Sequence, residues 1–178
     1  MKKLLVLLAI VFVSYVSYGQ VVSRTASTAN PVKLIYQKDE FKGTEYLLTK
    51  TNLFVSNDGK EGFKLSPYFK KENGEWKYAF LAGVSSIGTC FEKDKIYILF
   101  DDGSRFEMTS CSMYNCNGDI VFDLHGEFRG RLSSMPMKGI RFENGVDHTL
   151  YEKIFTNEND KNYFINAFKA LEEHNATH

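Results

Sequence analysis

Lys95 to Thr109 reads KIYILFDDGSRFEMT. In an extended chain Ile96, Ile98 and Phe100 share one face, and Tyr97 and Leu99 share the other. Apolar residues on both faces describe a central, well-covered strand. Phe106 and Met108 then alternate with Arg105, Glu107 and Thr109, the pattern of a half-buried strand. Between the two runs lies Asp101-Asp102-Gly103, and Asp and Gly tolerate the positive φ of a tight turn. The stretch predicts a β-hairpin, and it sets the reading of the rest of the chain.

The same punctuation recurs at Asp58-Gly59, Asn73-Gly74, Asn117-Gly118 and Asn144-Gly145. Around these turns, Trp76, Tyr78 and Phe80 alternate with Lys77 and Ala79, which predicts one strand with its rings on one face. Ile120, Phe122 and Leu124 alternate with Val121, Asp123 and His125. Strands are also expected over Lys33–Tyr36, Glu45–Thr49 and Asn52–Ser56, whereas 42–71 as a whole has an irregular pattern. Gly59 to Gly74 and Gly103 to Gly118 are equally spaced, but the side chains between them do not match as a repeat would.

The chain ends differently. Thr156–His174 reads TNENDKNYFINAFKALEEH. Tyr163, Phe164, Ala167, Phe168 and Leu171 fall on one side of a 3.6-residue period, so a helix is expected over about 157–174. Thr156 or Asn157 can cap it, and Glu158 and Asp160 put negative charge in the first turn, where the helix dipole favours it. The aromatic stripe should lie on the sheet.

The fold expected is therefore mainly β: an antiparallel sandwich or a partly closed barrel or roll, pleckstrin-like or lipocalin-like, with one C-terminal α-helix. An aromatic content of 15% suits packed sheet faces. The folded unit is expected over 32–175.

Ahead of it, Lys2 and Lys3 precede an apolar run from Leu4 to Val16, and Ser17, Tyr18 and Gly19 offer a small-residue exit. This is the layout of a signal peptide over residues 1–19, with an apolar core too short to favour a membrane span. Val21–Pro31, VVSRTASTANP, has no periodicity, so 20–31 reads as a flexible leader. Removal of the signal leaves roughly 160 residues, a length that suits one domain. The mature chain has no further apolar stretch long enough to cross a bilayer. An exported protein, periplasmic or secreted, is the expectation.

Lys plus Arg equals Asp plus Glu at 22 each. No basic stripe of the kind that phosphate backbones require is present, so nucleic acid is not an expected partner. Export makes disulfides expected among Cys90, Cys111 and Cys116, and the odd count leaves one thiol over. Cys111 and Cys116, at one end of the turn at Asn117-Gly118, are the candidate pair, and Cys90 reads as a small buried hydrophobe.

His125, His148, His174 and His178 have neither HxH nor HExxH spacing, and the cysteines lack zinc spacing, so no metal or other cofactor is expected. Asp101 and Asp102, Asp119 and Asp123, and Glu158 and Asp160 are placed as turn and cap residues. Arg129, Arg131, Lys138 and Arg141 could form a patch for an anionic ligand, or else the charged surface of a hairpin or edge strand.

Ile96–Gly103, the later Cys116-Asn117-Gly118 turn, Met135–Phe142 (MPMKGIRF), the short aromatic helix and the early Tyr18-Gly19-Gln20 occur in an order that resembles small exported proteins of Bacteroidota bacteria. The resemblance covers about 90–172. It implies a Gram-negative envelope and a β-rich domain with a terminal helix, and it carries over no active-site residues. Fold and composition together lead to a non-catalytic binding module, with an unidentified protein or small-molecule partner in the envelope. Two alternatives stay open: a small hydrolase using Asp101, Asp123 or His125, and a small-molecule carrier with an aromatic-lined cavity.

Overall fold

The computed structural model describes residues 32–50, 52–85 and 88–177, so the signal and leader segments lie outside the described residues. Ten strands and three helices are present among them. In chain order they are β1 Leu34–Asp39, β2 Thr44–Thr49, β3 Leu53–Val55, β4 Phe63–Glu72, β5 Glu75–Ser85, β6 Lys95–Phe100, β7 Arg105–Thr109, β8 Asp119–Asp123, α1 Gly126–Leu132, β9 Met137–Glu143, β10 Leu150–Ile154, α2 Glu158–Lys161 and α3 Tyr163–Thr177. All strand pairs are antiparallel. A six-stranded sheet has the order β1-β2-β4-β5-β8, with β3 also paired to β4, and a four-stranded sheet has the order β10-β9-β6-β7. The two stack as a sandwich and do not close into a barrel.

The hairpin expected from Lys95–Thr109 is β6–β7, with Ile96 against Met108 and Ile98 against Phe106. Ile96, Ile98 and Phe100 are buried, and Tyr97 and Leu99 lie half-buried on the outer face.

β4 is the spine of the larger sheet, and it lies in the stretch whose sequence pattern reads as irregular. Pro67 sits in its middle, a residue that argues against a central strand. Here the neighbouring strand is interrupted. β2 pairs β4 as far as Tyr68 and β3 takes over at Leu65, so Pro67 lies opposite the break. Thr49 Oγ1 donates to the Pro67 carbonyl at 3.4 Å across that gap.

The inner face of β4 presents Phe63, Leu65, Pro67, Phe69 and Lys71 in turn. At one end Phe63 is fully buried, with its ring centroid 3.5 Å from Phe142 and 5.5 Å from Tyr151 of the second sheet, and 6.0 Å from Phe91. Further along, α3 takes over as the cover. Phe168 meets Phe69 edge-on at 5.5 Å, and the Tyr163 hydroxyl lies 3.1 Å from Thr49 Oγ1. Tyr163, Phe164, Ala167, Phe168 and Leu171 are all buried, so the helical stripe is core. Asn157 is the cap, accepting from the Asp160 backbone N–H, and a break at Asn162 divides the helical end into α2 and α3.

α1 fills the remaining side, with Phe128 5.0 Å from Phe106 and Leu132 buried. It contains Arg129 and Arg131, so these belong to a helix rather than to the hairpin or edge strand of the alternative reading. Two glycines in seven residues and an uncapped N-terminus hide this helix from propensity.

The cysteine pairing is corrected. Cys90 bonds Cys116 across 26 residues, and Cys111 is the free, exposed thiol. An antiparallel bridge between Phe91 and Asn115 aligns the two segments beside the bond. Cys111 instead runs along β8, its N–H donating to the Val121 carbonyl at 2.8 Å.

Candidate functional site

The six-stranded sheet is longer than its cover. Where α3 ends, the inner face continues as an open groove of about 780 Å³, lined chiefly by Tyr36, Glu45, Lys71, Trp76 and His174, with Glu75 at the rim. The strand register sets this row. Lys71 is directly opposite Glu45 of β2 on one side and Trp76 of β5 on the other. Tyr36 stands on the adjoining edge strand β1, opposite Leu47.

Trp76 reaches this row through a backbone irregularity. β4 and β5 pair Lys70 with Tyr78 but Lys71 with Trp76, a register shift that places two steps of β5 against one of β4. A β-bulge of this kind re-aims a side chain. Phe80, beyond the bulge, faces outward and stacks on Tyr68 at 5.1 Å with 20° between the rings. Trp76 faces inward, packed on the core and 6.1 Å from the His174 ring. The expectation of Trp76 and Phe80 on one face is thereby corrected, since strict alternation fails at the bulge.

Charge in the groove is largely internal. Lys71 Nζ lies 3.1 Å from Glu45 Oε2 and 5.6 Å from the centre of the Trp76 ring, so the ammonium is held by a carboxylate and an aromatic face together. Partial desolvation pushes the Tyr36 phenol above its ordinary pKa of 10.0, and the adjacent Glu45 carboxylate, by charge and by hydrogen bond, pushes the same way.

The other end of the sandwich is closed by a polar knot. Asp94 is fully buried. Its carboxylate accepts from the Gly145 N–H at 3.0 Å and from Ser110 Oγ at 3.4 Å. Asn144, 1% exposed, donates to the Cys90 carbonyl at 3.0 Å and accepts from the N–H groups of Val146 and Asp147. Gly145 is required by close approach, because a Cβ there would collide with the Glu92 carbonyl. Burial pushes the Asp94 carboxyl above its ordinary value, opposed by the Gly145 hydrogen bond.

A second, smaller hollow of about 460 Å³ lies on the outer face of the four-stranded sheet, floored by Leu99 and Gly139. Several of its charges are paired across strands: Arg141 with Glu152 at 2.7 Å and Lys95 with Glu107 at 2.7 Å, while the Tyr97 hydroxyl donates to Glu143 at 2.9 Å.

The sequence-derived candidates fall in separate places. Arg129 lies over Phe168 at 5.7 Å. Arg131 donates to Ser104 Oγ at 2.7 Å and lies over Phe106 at 5.0 Å, with Asp102 and Glu127 nearby. Arg141 is paired with Glu152, and Lys138 is an exposed residue of β9. Arg129, Arg131 and Arg141 thus each have a partner of their own. Asp123 pairs with His125 at 3.2 Å on the surface, and Asp101 faces Lys161 at 3.7 Å. Asp102 accepts from the N–H and hydroxyl of Ser104, as a turn residue does. His148 lies 3.4 Å from Glu143, at the β9–β10 turn.

Among the described residues no three His, Cys, Asp or Glu side chains gather as a metal ion would need, and no helix is long and apolar enough to cross a membrane. Sequence reading missed Tyr36, Glu45 and Lys71 as a group. The one available signal was the single Trp of the chain beside the Asn73-Gly74 turn. Comparison with family models, with curated proteins and with solved structures finds no match, so the groove is read from its own side chains.

Proposed function

We propose that the protein is a non-catalytic binding module of the bacterial cell envelope, exported with removal of the segment ending near Gly19. The observation that carries the binding reading is the open groove, where the inner face of a packed sheet continues uncovered and a bulge turns Trp76 into it. A well-formed concave site with aromatic walls and a few convergent polar groups is the usual form of a ligand site. The carboxylates and histidines that could serve hydrolysis are engaged in turns and surface ion pairs instead. Export is supported by the charged start, apolar core and small-residue exit of the sequence, and by a disulfide, which persists in oxidising compartments.

Thermal shift against a panel of envelope small molecules and polymers tests the binding reading. At least one compound should raise the melting temperature of the parent protein, and Tyr36→Ala should reduce that rise. A panel without effect, or equal shifts in the variant, would overturn it. For export, intact mass of protein recovered outside the cytoplasm should match a chain starting near Gln20, and a chain starting at Met1 would overturn the compartment.

A further inference from the structure

We infer that the groove between Tyr36 and Trp76 takes a short, neutral oligosaccharide. This rests on the binding-module reading and names the ligand class for the same site. Three features of the groove support it.

The first is charge. Glu45 and Lys71 neutralise each other at 3.1 Å, so the groove floor offers no uncompensated positive charge to a phosphate or carboxylate. An organic cation is equally ill served. On the groove floor Lys71 already occupies the two sites it would seek, the Glu45 carboxylate and the Trp76 ring 5.6 Å away, and the second carboxylate, Glu75, stands at the rim.

The second is the placement of polar atoms. A carboxylate acceptor and an ammonium donor stand side by side on adjacent strands, with the Tyr36 phenol beside Glu45. Vicinal hydroxyls, each both donor and acceptor, match such an alternating set, and hydrogen bonds to charged groups are the stronger kind.

The third is shape. The groove has ring walls at Tyr36, 49% exposed, and at Trp76 with His174, and it is open at about 780 Å³. Sugar rings present apolar C–H faces that pack on aromatic rings, and an open groove admits a chain. An enclosed, dry cavity would instead suit an apolar ligand.

Trp76 is the single tryptophan of the chain, so tryptophan emission, excited at wavelengths that tyrosine does not absorb, reports on this site alone. The full exported protein is titrated with cellotriose, maltotriose and tri-N-acetylchitotriose, and separately with choline and inorganic phosphate. The expected result is a saturable change with at least one neutral trisaccharide, with an affinity unchanged by added salt. Glu45→Gln should weaken it roughly tenfold by removing a charge-assisted hydrogen bond. Tyr36→Ala should weaken it several-fold, and both variants should keep the parent's far-ultraviolet spectrum.

Saturable, salt-sensitive binding of choline or phosphate with no sugar response would overturn the sugar assignment and leave the binding reading standing. Sugar binding undiminished in both variants would overturn the site. No response to any probe, together with a flat thermal-shift panel, would overturn both readings.

Discussion

The two ends of β4 lie in the same strand and have opposite environments. At Phe63 the inner face is sealed by Phe91, Phe142 and Tyr151, behind which lie the Cys90–Cys116 bond and the Asp94–Asn144 knot. At Lys71 it is open, and its charged and aromatic side chains are only half-buried. Burial is concentrated where nothing can enter, and the groove proposed as the binding site lies where side chains are only half-buried. A binding groove can sit on a sandwich without loosening it when core and site are consecutive stretches of one sheet face.

The sharpest way to break that comparison is to truncate each end. Phe63→Ala leaves a cavity among three aromatic neighbours and should cost roughly 3 to 5 kcal/mol, measured by urea unfolding. Phe168→Ala, on the helix where it packs against Phe69, should cost a similar amount, and a small effect at Phe63 would mean that the closed end does not carry the fold. Next, reducing Cys90–Cys116 opens a 26-residue loop and should cost about 3.5 kcal/mol by the loop-entropy rule. Unfolding with and without reductant tests this, and Cys111→Ser should change nothing in either condition.

A subtler test uses pH. The folded-state pKa of Asp94 is raised above its ordinary 3.8, chiefly by burial. Its contribution to stability is therefore fully present below pH 3.8 and is lost as pH rises through the raised value. Glu143 and Asp147 act in the opposite sense. The Tyr97 hydroxyl holds Glu143 down and the Thr149 N–H holds Asp147 down, so their contributions are lost as pH falls through the lowered values. Asp94→Asn removes only the first component. The stability of the variant relative to the parent should therefore rise as pH increases from 3.8 through the raised value, and a difference independent of pH would show that Asp94 does not titrate in the folded protein. The smallest effect belongs to the open end: Tyr36→Ala should alter stability by about 0.5 kcal/mol or less while impairing binding. A loss comparable to that of Phe63→Ala would make Tyr36 core and remove the contrast.

Much of the architecture was legible because it is written locally. The β6–β7 hairpin, the burial of Ile96, Ile98 and Phe100, and the α3 stripe follow from period-2 and period-3.6 patterns that each residue shares with near neighbours. β4 was obscured because Pro67 is acceptable only where the adjacent strand breaks, a fact of pairing rather than of the strand itself. α1 was obscured because its glycines disfavour a helix that tertiary contacts through Phe128 and Leu132 hold in place.

What the sequence by itself determined, then, is the set of elements: hairpin turns, alternating strands and an amphipathic end, each set by steric and hydrophobic rules acting over a few residues. What only the tertiary structure decided are the junctions. Cys116 pairs with Cys90 rather than with nearby Cys111 because the Phe91–Asn115 bridge brings distant segments together. Trp76 parts from Phe80 because one extra residue in β5 reverses the strand's alternation. The groove exists because α3 ends before the sheet does. These are relations between segments far apart in the chain, and no local periodicity encodes them.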